Sequence, residues 1–142
     1  MGADIKAYLQ IDDNTPVDVA PFTNDASTWD LTHDVGLCGC KDYAFFASVS
    51  GVRNDSGVAP LYALRGLPPT DNPFDPILAL KDDVDDSNVG WLTLREIRRA
   101  LDHMSIKHSS LSNHVLRVLE TIETLERLVG PDRVRLVFAI HD

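Results

Sequence analysis

The chain has 142 residues, of which 44% are hydrophobic and 25% charged, a composition that excludes disordered and low-complexity classes and suits one domain with a real core. Thirteen basic residues against twenty-two acidic ones give a formal net charge of −9, so phosphate backbones are repelled on average and direct nucleic-acid binding is not expected. No apolar run reaches the roughly 18 residues of a membrane span, and the opening Met1-Gly2-Ala3-Asp4-Ile5-Lys6 lacks a hydrophobic signal core, so a cytoplasmic protein without membrane contact is expected.

From Asp4 to Ile11 the residues alternate, with Ile5, Ala7, Leu9 and Ile11 on one side and Lys6, Tyr8 and Gln10 on the other. That is the period of a half-buried strand. Asp12-Asp13-Asn14-Thr15-Pro16 reads as a turn, with part of a second strand around Val17 to Val19. Residues 20 to 41 read as loop or short strand. Within them Cys38 and Cys40, separated only by Gly39, have a spacing that seldom meets disulfide geometry, and they are expected to be thiols.

Residues 42 to 52 place Phe45, Phe46, Val49 and Val52 at helical spacing with Asp42 as N-cap, which predicts a short buried helix. The stretch from 53 to 90 is rich in Pro, Gly, Asn and Asp yet carries Leu61, Tyr62, Leu64, Leu67, Ile77 and Leu80. So long a loop in a small domain packs down and is the favoured place for a site. Thr93-Leu94-Arg95-Glu96 has the form of a capping box opening a helix to about Met104. Ser109 or Ser110 is expected to cap the next helix, whose Leu111, Val115, Val118, Ile122, Leu125 and Val129 recur at steps of three and four until Gly130-Pro131 ends it. Val134, Leu136, Phe138 and Ile140 then alternate against Arg133, Arg135, Val137 and Ala139 as a terminal strand, and the apolar pair in the second set suggests that its other face is partly covered. The expected fold is a single α+β domain over residues 1–142, a small, mainly antiparallel sheet including the N- and C-terminal strands, with about three helices packed on one face.

Recognisable chemistry is sparse. Cys38-Gly39-Cys40 lacks the C-x₂₋₄-C spacing and the second ligand pair of a zinc site. No two of His33, His103, His108, His114 and His141 stand at the i, i+4 spacing of paired helical ligands. Asp82-Asp83 and Asp85-Asp86 suggest a calcium loop until the register is checked, because the twelfth position counted from Asp83 is Leu94 and the sixth is Asn88. A solvated acidic loop is the expectation there. No G-x-S-x-G elbow, Walker loop or G-x-G-x-x-G fingerprint occurs. Arg53-Asn54 and Arg65-Gly66-Leu67-Pro68 set guanidiniums beside chain-bending residues, where they can clamp a carboxylate or phosphate or tie the loop down through backbone carbonyls.

Several segments in order resemble a family of uncharacterised phage and prophage proteins whose members begin Met-Gly-Cys-Asp-Ile-His. The segments here are Met1-Gly2-Ala3-Asp4-Ile5-Lys6, Tyr43 through Gly51-Val52-Arg53-Asn54, Arg65-Gly66-Leu67-Pro68, Trp91-Leu92-Thr93-Leu94, and Val134-Arg135-Leu136-Val137-Phe138 to Asp142. This chain has Ala3, Lys6, Ala44 and Ser87-Asn88-Val89 where the family carries Cys, His, Asp and His-Ser-His. The departures remove residue types that bind metals or move protons.

The small acidic domain, the missing nucleophile and metal constellation and the phage-type resemblance together lead us to expect a phage-encoded accessory protein in a bacterial cell that acts by binding rather than catalysis, with no cofactor, as a counter-defence factor or host-factor inhibitor. One version is an acidic surface that occupies a basic surface of a host or defence protein. The other is a pocket for a small phosphorylated ligand, with Arg53, Asn54, Arg65 and Trp91 as its contacts. The rival is a metal-dependent hydrolase or nucleotide-processing enzyme using Asp4, His33 and the cluster from Asp82 to Asp86. A third reading is a structural protein dimerising through the long helix.

Overall fold

The computed structural model describes residues 3–12, 31–34, 41–69, 73–80 and 89–141. Strand β1 spans Asp4–Ile11, β2 Leu31–Asp34, β3 Val89–Thr93 and β4 Val134–His141, and the α-helices are α1 Tyr43–Ser50, α2 Leu94–His103 and α3 Asn113–Val129. All sheet pairings are antiparallel, in the order β2-β1-β4-β3. The two terminal strands are thus the centre of the sheet, paired along their whole length from Asp4 opposite His141 to Ile11 opposite Val134. The α+β architecture read from periodicity is the observed one. The expected strand near Val17, the two cysteines and the cluster from Asp82 to Asp86 lie outside the described residues.

Alternation decides which side chains face the helices. Ile5, Leu9 and Ile11 of β1 join Leu136, Phe138 and Ile140 of β4 in one core with Phe45, Phe46 and Val49 of α1, Ile97 and Leu101 of α2, and Val115, Val118 and Ile122 of α3. The three helices therefore cover one face, and burial of their apolar stripes against it supplies most of the driving force.

The helix ends are set by local chemistry. The Asp42 Oδ1 accepts from Phe45 N at 3.1 Å, capping α1, while its Oδ2 accepts from Ser112 N at 2.7 Å, so one carboxylate joins the starts of α1 and α3. Gly51 ends α1 in the left-handed region at φ 79°, and a Cβ there would lie 3.3 Å from Pro60 Cγ. The capping box of α2 is present, with Thr93 and Glu96 exchanging bonds. The cap of α3 differs from the expectation. Ser109 and Ser110 lie in a 3₁₀ turn over His108–Ser110, and the N-cap is Ser112, whose Oγ accepts from Val115 N at 3.3 Å. Leu111 must reach the core in extended backbone before the helix starts, which moves the cap downstream.

Strand β3, which starts at the end of the stretch read as loop and runs past it, is a strand that periodicity did not reveal. At Gly90 a Cβ would stand 2.8 Å from Leu64 Cδ2 and 3.1 Å from Phe138 Cζ, so any side chain there would have to push both aside.

Candidate functional site on the second sheet face

The face away from the helices carries the alternate residues of the same strands, and its chemistry is mixed. Ile77, Leu80, Val89, Val137 and Ala139 form a second buried apolar cluster, flanked by Tyr8, Leu67 and Trp91. Ile77 and Leu80 come from the 3₁₀ turn Pro76–Ala79 and the residue after it, which lie across the sheet as a strap. Beside this cluster Gln10, Asp12, Asp75 and Arg135 are 1%, 1%, 6% and 2% exposed.

Charged side chains so deeply buried are rare unless paired. Gln10 and Arg135 are direct partners across β1 and β4, and the Arg135 Nε donates to Gln10 Oε1 at 2.8 Å. The other end of the same amide, Gln10 Nε2, donates to Asp75 Oδ2 at 3.4 Å, and Asp75 Oδ1 accepts from Ile77 N at 3.1 Å to cap the 3₁₀ turn. A continuous polar link therefore runs from the centre of the sheet to the strap. Burial pushes the Arg135 guanidinium down to about 10 against the upward pull of the Asp75 and Asp12 carboxylates. Arg135 also sits 5.0 Å from the centroid of the Trp91 ring.

Arg65 approaches the same tryptophan from the loop, 4.4 Å from its centroid and 5.5 Å from that of Tyr62. Its guanidinium grips Glu96 with both terminal nitrogens, Nη1 to Oε1 at 2.8 Å and Nη2 to Oε2, and Nη1 also donates to Trp91 O at 3.3 Å. The bond to Glu96 raises the Arg65 pKa despite partial burial. For Glu96, burial pushes the carboxyl up, but Arg65 and the Thr93 amide and hydroxyl together hold it below its ordinary value. Glu96 thus serves two structures at once, as N3 of the capping box and as the anchor of the loop arginine.

Gly66 N completes the arrangement by donating to Val89 O at 2.9 Å. Arg65 and Gly66 therefore satisfy two carbonyls of β3, the edge strand at this end of the sheet, in the way that natural sheets blunt an edge. The Arg-Gly-Leu-Pro and Trp-Leu-Thr-Leu segments, distant in sequence, meet along β3.

Of the four residues named from sequence as ligand contacts, the structure brings Arg65 and Trp91 together and sets Arg53 and Asn54 in another place. Arg53 has a left-handed backbone, φ 58°, and stands 5.6 Å from the Tyr43 ring centroid. Asn54 shapes its own turn, donating to Val58 O at 2.6 Å and accepting from Ser56 N at 3.1 Å. Both line a shallow groove of about 270 Å³ with Tyr43, Ser48, Met104 and Ile106. Gln10, Asp75 and Arg135 were not singled out from sequence, and the only advance signal was Arg135 in a strand whose neighbours are apolar on both sides.

The constellation named for a hydrolase does not assemble in the part of it that is described. His33 is paired with Leu9 in the sheet, five residues along β1 from Asp4, so the two backbones lie about 17 Å apart at the usual strand rise. That exceeds what an Asp and a His side chain can span to share one ion. Among the described residues no group of three or more His, Cys, Asp and Glu is arranged to hold a metal, and no helix is long and apolar enough to cross a membrane.

Charge divides unevenly along the chain. Asp82, Asp83, Asp85 and Asp86 place four of the 22 acidic residues within five positions, in a chain with 13 basic residues. Comparisons with protein-family models, with curated proteins and with solved structures returned no match.

Proposed function

We propose that the protein works by binding a partner protein through its acidic segments, as a phage-type accessory factor that occupies a basic surface on a host or defence protein. The observation that carries this reading is the concentration of acidic charge. Twenty-two acidic residues stand against thirteen basic ones, and Asp82, Asp83, Asp85 and Asp86 put four of them within five positions, a concentration that a basic partner surface would complement. The resemblance of its motifs to those of phage proteins is what suggests the setting.

The test is affinity capture from a bacterial lysate, followed by salt titration of the purified pair and by the variant Asp82→Asn/Asp83→Asn/Asp85→Asn/Asp86→Asn. Affinity should fall steeply with salt and fall again in the variant. A partner held equally at low and high salt by both proteins, or metal-dependent turnover of phosphate esters by the pure protein, would overturn the reading.

A second reading is a small phosphorylated ligand, favoured by the groove that Arg53 shares with Tyr43. Arg65 is engaged by Glu96 and lies away from this groove. A thermal shift with a nucleotide that Arg53→Ala abolishes would support this version; the same shift persisting in that variant would remove it.

A further inference from the structure

The two sides of the sheet are held by unequal means. Among the described residues, the helix-covered core unites 21 buried apolar side chains, and the second face only five. On that smaller side the strap carrying Ile77 and Leu80 is fastened by a polar clasp, in which Asp75 takes a bond from Gln10 and Gln10 takes one from Arg135. Asp75 also organises the strap from within, since Ile77 N donates to its carboxylate and Leu78 N to its carbonyl at 3.0 Å. A small satellite cluster with its own internal hydrogen bonds is the kind of unit that opens without the rest of a domain.

We infer that the strap over 75–80 is a gate that opens as a local unit, and that the Asp75–Gln10–Arg135 clasp sets how often it does so. Opening frees the Gln10 amide from Asp75 and lifts Ile77 and Leu80 off Val137 and Ala139. The buried charge is what makes the gate adjustable. A strap held by apolar contacts alone would respond only to packing, whereas one fastened to a desolvated guanidinium responds to the carboxylate opposite it. This inference is independent of the acidic-partner reading, which uses segments outside the strap.

The experiment is native-state hydrogen exchange on the full chain, comparing the amides of Ile77, Leu78 and Leu80 with those of Phe46 and Val49 in the helix-covered core. In the wild type the strap amides should exchange through openings that depend only weakly on denaturant, and the core amides through global unfolding. Asp75→Asn, which keeps the shape of the side chain and removes its charge, should speed strap exchange by about ten-fold or more and leave the core amides unchanged relative to global stability. Strap and core amides that exchange in step in the wild type would overturn the inference, whether or not the variant folds. So would an Asp75→Asn protein in which both sets accelerate equally.

Discussion

The two faces of the sheet come from the same strands and differ in what holds them. On the helix side, Ile5, Leu9, Leu136, Phe138 and Ile140 pack into one apolar core. On the other side the intervening residues include Gln10, Asp12 and Arg135, buried as deeply but joined by hydrogen bonds and charge. The first kind of burial stabilises through area removed from water and is indifferent to which apolar neighbour does the covering. The second is conditional. A buried guanidinium is tolerated only while its partners are present, so the second face stores dependence on particular residues where the first stores bulk stability.

The largest effect should come from the helix side. Phe138→Ala removes a fully buried ring from the centre of the core and should cost about 3–5 kcal/mol in denaturant unfolding. A loss below about 1 kcal/mol would mean that the helix side is not the main support of the fold.

Next in size is the polar side. Arg135→Met removes the buried cation that Gln10 accepts from and that the Asp75 and Asp12 carboxylates attract, and should cost about 3 kcal/mol. Adding Asp75→Asn should return part of that loss, a coupling that separates a charge network from simple packing. Purely additive costs would break the contrast between the faces.

Gly90→Ala probes the join between the layers, because its Cβ would press on Leu64 and Phe138 together. About 1–3 kcal/mol should be lost, and Leu64→Ala in the same chain should recover some of it.

The smallest effect concerns acid. Glu96 has a folded-state pKa below its ordinary value, so its contribution is present above the unfolded pKa and disappears as pH falls through the folded one. Glu96→Gln should cost about 1 kcal/mol at neutral pH through the weakened cap and the lost arginine pair, and should flatten the acid limb of the stability curve below about pH 4.5. Glu126 works in the opposite direction. Burial raises its pKa, so its charged form is a cost that acid relieves; the relief falls above about pH 4.5, where Glu126→Gln should remove it. Stability measured from pH 3 to pH 7 distinguishes the two.

Much of the framework could be read in the sequence because it rests on local rules. The alternation of β1 and β4, the 3.6-residue stripe of α3, the Asp42 cap and the Thr93–Glu96 box each arise from contacts within a few residues, and each is present in the structure. Strand β3 was hidden because Val-Gly-Trp-Leu is short and interrupted by glycine. It becomes a strand by pairing with β4, and its glycine is explained only by Leu64 and Phe138 closing over it.

The candidate site was legible only in part, and for a related reason. Arg65 and Trp91 stand out in sequence, but the carboxylate that the guanidinium grips, Glu96, lies 31 residues away. Gln10 and Arg135 are 125 positions apart, and no local pattern says that they meet. The sequence by itself determined where helices and central strands form, because periodicity and capping are properties of neighbouring residues. Only the tertiary structure decided which polar side chains are buried together, because that follows from strand register and from the strap that covers them, and both bring together residues that the chain keeps far apart.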